Sequence, residues 1–183
     1  MAVRPLASAH RRRSSPAELE DGDHAATYSV TAALGLDAAL DGDALRAALL
    51  ALTARHESLR MNVRAENGQP VLMLRDPYDP LVVEDLLLEE GEDRDAAVHA
   101  RAALHASAAF DLADDPLLRL TLLRLDTDAE VLLVNLHPIA ADGWSVGVLV
   151  RDLSALYAAA LEEREADLSA VLPPLPIQYA DYA

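Results

Sequence analysis

The stretch Val131-Leu-Leu-Val-Asn-Leu-His-Pro-Ile-Ala-Ala-Asp-Gly143 decides the fold, because it joins two elements of different periodicity. Its first six residues form an apolar run that is typical of a buried strand. From Trp144 onward, apolar residues recur at helical spacing and predict an amphipathic helix. The predicted apolar stripe consists of Val146, Leu149, Val150, Leu153, Leu156 and Tyr157. His137, Asp142 and Gly143 lie in the connecting loop, where a rigid sheet can present polar side chains, and they suggest an acyl-transfer site.

The spacing of these residues also fits a structural role. In that interpretation His137 is a core histidine, with its ring held by the backbone or by Asp142. The other five histidines form no pair at ligand spacing, so no metal site is predicted.

Composition narrows the class of protein. The chain has 183 residues, 52% of them apolar, which is enough for one domain with a real core. It has no cysteine, so any thioester chemistry must use a thiol from another molecule. The net charge of −16 argues against binding nucleic acid or an anionic membrane. No apolar run has the length of a membrane span, and we expect an acidic, soluble, cytoplasmic protein.

Strand and helix signals alternate irregularly along the chain. N-cap candidates at Asp41-Gly-Asp43 begin a predicted helix whose positions Leu45, Ala48, Leu49 and Leu52 face inward. Asn67-Gly68 is a hairpin signal. The predicted helices are 41–55, 96–109 and the segment from 144, and the predicted strands are 28–36, 59–64, 70–74, 117–125 and 131–136. The last two strands form an antiparallel pair in this prediction. The expected fold class is α+β, with helices packed on a largely antiparallel sheet.

Residues 132–145 resemble the His-His-x-x-x-Asp-Gly region of nonribosomal peptide synthetase condensation domains. Other matches to this family follow in the right order along nearly the whole chain. They are Ala-Arg-His-Glu-Ser-Leu-Arg ending at Arg60, Phe110-Asp-Leu-Ala-x-x-Pro-Leu-Leu-Arg119, Leu153-Ser-Ala-Leu-Tyr157, and residues 172–183. Any one of them alone is a weak signal, and their order makes the resemblance specific.

The resemblance implies an architecture and a set of partners. Family members have two lobes, each like chloramphenicol acetyltransferase, with the active site in a tunnel between them. This chain corresponds to the N-terminal lobe, so the C-terminal lobe of the same domain is an implied partner. The implied chemistry is amide formation between a donor acyl or peptidyl group and an acceptor amine. Both arrive on phosphopantetheine arms of carrier domains, and the chain itself is expected to bind no cofactor.

Carried over residue by residue, the family motif places its first His at His137, its Asp at Asp142 and its Gly at Gly143. The second His, which is usually assigned general-base or positioning work, falls on Pro138. Proline has no titratable side chain and no N–H group, so it can neither take a proton nor donate a hydrogen bond. The motif is therefore degenerate, although its catalytic positions remain recognisable.

The resemblance also implies roles for neighbouring side chains. The motif Asp usually forms a structural ion pair with an arginine, and the candidate partners of Asp142 are Arg60 and Arg55. Trp144 and Ser145 are expected to line the acceptor side. Because adjacent residues of an extended segment point to opposite sides, His137 is expected to face away from the tunnel.

The start of the chain departs from the family pattern. Pro5-Leu-Ala-Ser-Ala-His-Arg-Arg12 keeps the family's opening, and the large apolar anchors that should follow are absent. We therefore expect residues 1–24 to be a poorly packed, decayed domain start and residues 25–183 to form the lobe. The Arg- and Ser-rich composition of the first 16 residues also fits a transit peptide, an interpretation that the family match disfavours.

Three functions remain open at this point. The first is an amide-forming condensation domain whose activity is weakened by Pro138. The second is a condensation-like scaffold without catalysis, which binds a carrier domain or recruits a tailoring enzyme. The third, a free acyltransferase of the same superfamily, depends even more on the second His and ranks last.

Overall fold

Strands β6 (Leu118–Arg124) and β7 (Glu130–Leu136) form the centre of the fold as an antiparallel pair in which Leu122 lies opposite Leu132. The computed structural model describes residues 2–4, 29–66, 69–88, 90–125, 129–162, 167–178 and 181. The predicted pairing of these two strands is confirmed. Residues 126–128 of the turn between them lie outside the described part of the chain.

Two further strands complete a four-stranded sheet in the order β2-β7-β6-β5. β2 (Val30–Leu36) pairs with β7 in antiparallel fashion, while β5 (Leu81–Asp85) pairs with β6 in parallel. The sheet is largely antiparallel, as predicted. β5 was not predicted, because its acids interrupt the apolar run and its pairing partner lies about forty residues away in sequence.

A second, three-stranded sheet has the order β1-β4-β3 and is antiparallel throughout. It consists of β1 (Ala2–Arg4), β3 (Met61–Glu66) and β4 (Gln69–Leu74). Glu66 pairs with Gln69, which confirms the hairpin predicted around 67–68, although those two residues lie outside the described ranges. Most of the segment predicted to be poorly packed, residues 5–24, also lies outside them.

Helix α1 (Gly42–Arg55) packs on one face of the four-stranded sheet. Asp41 begins it as predicted, since its carboxylate accepts the N–H groups of Asp43 and Ala44 at 3.1 and 3.0 Å. The four positions predicted to face inward are all buried. They join alternate residues of the sheet, which are Leu118, Leu120, Leu122, Leu132 and Leu136, in one hydrophobic core.

Helix α3 (Gly143–Glu162) lies beside α1 and packs against the same core. The stripe predicted for it is wrong at Val150, which is 54% exposed, whereas Asp152 is fully buried. Compared with the prediction, the helix is rotated about its axis, so that its buried residues are Asp152, Leu156 and Ala160. By length and composition alone, α3 is also long and apolar enough to cross a membrane, whereas no apolar run of that length was expected from the sequence. Core helices of globular proteins pass the same test.

Helix α2 (Arg94–Ser107) covers the opposite face of the four-stranded sheet, with Asp93 as its N-cap. The helix begins and ends about two residues earlier than predicted. Beneath it lie Leu123, Leu133 and Asn135, the sheet residues that alternate with the main core. The Asn135 amide donates to the His105 carbonyl at 2.8 Å, which joins this helix to β7.

Candidate active site

The loop that leaves β7 is held by its own histidine. The His137 N–H donates to the Leu117 carbonyl at 2.9 Å and continues the strand contact by one residue. Nδ1 of His137 accepts the Ile139 N–H at 3.1 Å, and the His137 carbonyl accepts the Ala140 N–H at 3.0 Å. Ile139, Ala140 and Ala141 are each 7% exposed and anchor the loop in the core. The local sequence therefore forms a tight, apolar-anchored turn.

The His137 ring lies against Phe110. The two ring centroids are 5.4 Å apart with an interplanar angle of 72°, an edge-to-face arrangement. Phe110 is only 4% exposed and directly follows the segment that ends α2. Because His137 is two residues beyond Asn135, both side chains lie on the α2 side of the sheet.

Asp142 begins helix α3 and is exposed. Its Oδ1 accepts the backbone N–H of Ser145 at 2.9 Å and the Ser145 hydroxyl at 2.7 Å, which is the geometry of an N-cap. These hydrogen bonds, led by the one from the hydroxyl, hold the pKa of Asp142 below its ordinary value. The carboxylate is therefore a poor base and a good helix cap.

The surface beside Asp142 is open. A side chain at Gly143 would meet no atom within 4 Å, so nothing in the described part of the chain closes over its backbone. Trp144 is 85% exposed. Pro138, at the position implied for the missing base, is half-buried. A substrate or a partner surface can thus approach the start of α3 directly.

The ion pair expected for Asp142 is wrong. Arg55 Nε lies 3.0 Å from Asp152 Oδ2, and Arg55 Nη1 donates to the Pro173 carbonyl at 2.7 Å. Arg60 donates to backbone carbonyls, including that of Thr53 at 2.7 Å. Both arginines lie at the end of α1 and the short 3₁₀ segment after it, and packing there decides their partners. Asp142 instead accepts hydrogen bonds from Ser145, three residues further along the chain.

Asp152 is the buried carboxylate that sequence reasoning missed. Its side chain is fully buried and contacts Arg55, His56 and Arg151. Burial pushes the pKa of Asp152 up, yet hydrogen bonds from Arg151, Arg55 and His56 outweigh burial and leave that pKa below its ordinary value. The signal in the sequence was an Arg-Asp pair inside an otherwise apolar helix, since such a charge needs partners.

The structure thus gathers His137, Pro138, Asp142, Gly143 and Ser145 along one loop and one helix start, with Trp144 exposed beside them. The two candidate arginines belong to a separate network. Across the described ranges no three His, Asp or Glu side chains come together in a way that could hold a metal ion.

Comparison with known proteins identifies the family. The family model for the condensation domain matches residues 3–183. Phosphinothricin tripeptide synthetase PhsC of Streptomyces viridochromogenes is 42% identical over 180 residues, which are 98% of this chain and 16% of that protein. Chondramide synthase cmdD of Chondromyces crocatus is 38% identical over 182 residues, which are 99% of this chain and 4% of that protein.

Solved structures agree with this match. The X-domain in its complex with OxyB from teicoplanin biosynthesis is similar with a TM-score of 0.77 and 31% identity, over 97% of this chain and 36% of that one. The starter condensation domain of the rhizomide synthetase RzmA has a TM-score of 0.76 at 18% identity, over 89% of this chain and 39% of that one, a likeness in fold alone.

The extent of these matches fits one lobe of a larger domain, because the chain spans little more than a third of the solved chains and a smaller part of the curated relatives. The predicted α+β fold of the chloramphenicol-acetyltransferase-like type is confirmed. With a family model matching nearly its whole length, the chain belongs to the condensation-domain family.

Proposed function

We propose that this chain is the N-terminal lobe of a nonribosomal peptide synthetase condensation domain with weakened catalysis. The observation that carries the proposal is the loop from His137 to Gly143, which leaves the central strand and opens onto an exposed helix start. Its partners would be carrier domains, whose phosphopantetheine arms bring both substrates, and the C-terminal lobe of the same domain. The negative charge of the chain is compatible with a cytoplasmic protein and argues against binding to nucleic acid or an anionic membrane.

The proposed reaction is an aminolysis. The acceptor amine attacks the carbonyl carbon of the donor thioester, a C–N bond forms, and the C–S bond breaks. The amine loses one proton, and the departing thiolate takes one up. The chain has no cysteine, so the thioester sulfur, which leaves as the thiol, belongs to the donor carrier.

The described side chains supply little proton transfer. Pro138 has no titratable group at the position of the usual base. Nδ1 of His137 is occupied by the Ile139 N–H, and the low pKa of Asp142 makes its carboxylate a weak base. What remains is the positioning of two carrier-bound substrates, an effect that can be large by itself. Loss of a general base costs about 10²–10⁴-fold in rate, so we expect slow condensation.

A non-catalytic scaffold is the second candidate, and Pro138 is the observation that favours it. The X-domain, which is 31% identical to this chain, has been solved in complex with OxyB. A domain of this fold can therefore serve as a docking platform for another protein. In this alternative the exposed helix start around Trp144 binds a carrier domain or a tailoring enzyme. A free acyltransferase is disfavoured, because it would depend more strongly on the missing imidazole.

The deciding experiment uses the complete protein that carries this chain, with donor and acceptor carriers loaded, and mass spectrometry of the condensed product. We expect slow product formation that Pro138→His accelerates. Substituting His137 or Asp142 should lower the rate, and rates unchanged by both substitutions would contradict the site assignment. Absence of product in the wild type and in Pro138→His, with carrier binding retained, would support the scaffold.

Carrier binding can be followed with the single tryptophan of the chain. Because Trp144 is 85% exposed, its fluorescence should be quenched readily by acrylamide in the free protein. A carrier docked at the acceptor side should protect it. The matched control is Trp144→Phe with an extrinsic fluorophore on the carrier, which reports binding without the indole. Unchanged quenching at saturating carrier would place the carrier elsewhere.

A further inference from the structure

We propose that Phe110 and Arg119 are positioning residues for the candidate site. They fix the His137 imidazole with Nδ1 towards the Ile139 N–H, and through it they set the path of the loop that presents Pro138 to Gly143. The effect on condensation rests on the proposed function. The effect on the imidazole does not.

Arg119 holds Phe110 from the side of the sheet. The guanidinium carbon lies 4.1 Å from the Phe110 ring centroid, within the range of a cation–π contact. On β6, Arg119 is the direct partner of Asn135 on β7, so its side chain lies on the same side of the sheet as those of Asn135 and His137. Phe110 therefore connects the guanidinium to the imidazole.

The guanidinium is itself fixed by three oxygens. Its Nη2 donates to Asp115 Oδ2 at 2.6 Å and to the Ala109 carbonyl at 3.0 Å, and its Nη1 donates to the Ala108 carbonyl at 3.3 Å. These contacts tie β6 to the end of α2 and to the loop that follows. A cation with this many fixed partners loses little further freedom on holding the ring.

The loop that carries Phe110 is anchored at its other end. The Leu112 carbonyl accepts the Val63 N–H at 2.9 Å, and the Asn62 amide donates to the Leu112 and Asp115 carbonyls at 3.0 and 2.8 Å. Asn62 is only 3% exposed. The phenyl ring is thus placed by two sheets, and it has little room to move away from the imidazole.

The orientation of the imidazole matters because a ring nitrogen that accepts a hydrogen bond must be unprotonated. With Nδ1 accepting the Ile139 N–H at 3.1 Å, the neutral ring carries its proton on Nε2. A ring released by Phe110 would lose this contact, while the hydrogen bond from the Ala140 N–H to the His137 carbonyl would remain. The Arg119–Phe110 pair thereby links the loop after α2 to the geometry of the site.

The first test observes the imidazole and needs no activity. Long-range ¹⁵N–¹H spectra of the full chain, with the His137 signal assigned through His137→Gln, should show one tautomer with the proton on Nε2. Nuclear Overhauser contacts should join the His137 and Phe110 rings in the wild type. Arg119→Met and Phe110→Leu should give a mixed tautomer signal. Missing ring contacts in the wild type, or an unaltered tautomer in folded Arg119→Met, would overturn the proposal.

The matched control is Arg64→Met. Arg64 also holds the loop after Phe110, through the Ala113 carbonyl and the Asp114 carboxylate, and its side chain is 47% exposed. We expect this variant to leave the His137 spectrum unchanged. A change of the same size in Arg64→Met would overturn the proposal, since any loosening of the loop would then suffice.

The second test measures condensation in the complete protein. Arg119→Met should lower kcat by roughly 10–100-fold with KM for the loaded carriers unchanged, because a misplaced loop affects positioning more than docking. Arg64→Met should retain the wild-type rate. Inactive wild type together with a tautomer that responds to Arg119→Met would refute the proposed function and leave the positioning role intact. Normal kcat with an unaltered tautomer would refute the positioning role alone.

Discussion

Arg55 Nε lies 3.0 Å from Asp152 Oδ2, and this buried pair joins the end of α1 to the middle of α3. His56 Nε2 contacts the same carboxylate oxygen at 3.0 Å, while Arg151 reaches the other oxygen at 2.9 Å. Because α3 also begins at the candidate site, the network fixes the helix that carries Asp142 and Trp144 relative to the core. A single carboxylate thus holds two arginines and one histidine in place.

Asp152→Asn should lower the free energy of unfolding by about 3–5 kcal/mol, since it leaves the largely buried Arg55 guanidinium without its counter-charge. Urea unfolding followed by circular dichroism measures this. The control is Asp142→Ala, which removes an exposed helix cap and should cost only about 1 kcal/mol. An Asp142→Ala loss as large as that of Asp152→Asn would mean that the family's ion pair forms at Asp142 after all.

The stability of the chain should fall in mild acid. Burial lowers the pKa of His56 from its ordinary value of 6.5, and Asp152 only partly offsets this. Below pH 6.5 His56 therefore binds a proton more readily in the unfolded chain than in the folded chain. The stability linked to neutral His56 is fully present above pH 6.5 and is lost as the pH falls through the lowered pKa of the folded chain. Burial lowers the pKa of His105 in the same direction.

The measurement is the free energy of unfolding at pH 7.5 and 5.5 for the wild type and His56→Gln. The variant should lose less stability between the two conditions. His99→Gln is the control, because His99 lies on the exposed side of α2. Equal pH dependence in wild type and His56→Gln would assign the acid sensitivity to other groups.

Much of the fold follows from local signals, while the missed features depend on distant ones. The cap at Asp41 and the turn at 67–68 act within a few residues, so the first helix and the hairpin could be predicted. β5 could not, because Leu81 finds its place only opposite Leu120. The ion pair expected for Asp142 was wrong for the opposite reason. A distant arginine was expected as the partner of this carboxylate, which instead caps its own helix by accepting the Ser145 N–H.

For the candidate site, too, the features set by local signals could be predicted and those set by distant contacts could not. The sequence located the loop and the helix start correctly, because a buried strand, a polar loop and an amphipathic helix follow one another directly. It could not indicate that the His137 ring packs on Phe110, since 27 residues separate them and no periodic pattern connects them. Packing between elements determines such contacts, and one sequence alone carries little information about it.

Leu156→Ala tests how much α3 depends on the core. Leu156 is 1% exposed, and its truncation should lower the free energy of unfolding by about 2–5 kcal/mol through lost burial and a residual cavity. Leu161→Ala, on the same helix with Leu161 50% exposed, should change it by less than about 0.5 kcal/mol. Comparable losses in both variants would indicate that the outer face of α3 is covered in solution.

Gln178 helps to hold the segment after α3 against the end of α1. Gln178 donates through its amide to the Arg55 carbonyl at 3.0 Å, and its side-chain oxygen accepts the Glu57 N–H at 3.2 Å. The Pro173 carbonyl accepts from Arg55 at 2.7 Å, so the same arginine binds both Asp152 and this segment. The segment therefore lies across the end of α1 with the buried charge network beneath it.

Gln178→Ala should release this segment locally without unfolding the core. Losing a net stabilisation of about 1 kcal/mol per hydrogen bond should raise amide exchange in a peptide covering 167–178 by about fivefold or more. Exchange in α1 should stay unchanged, because Asp152 still holds Arg55. Ile177→Ala is the matched control, since Ile177 is 59% exposed and its truncation leaves both glutamine contacts in place. Equal exchange in the two variants would show that the other contacts of the segment, among them the one between Arg55 and the Pro173 carbonyl, suffice to hold it.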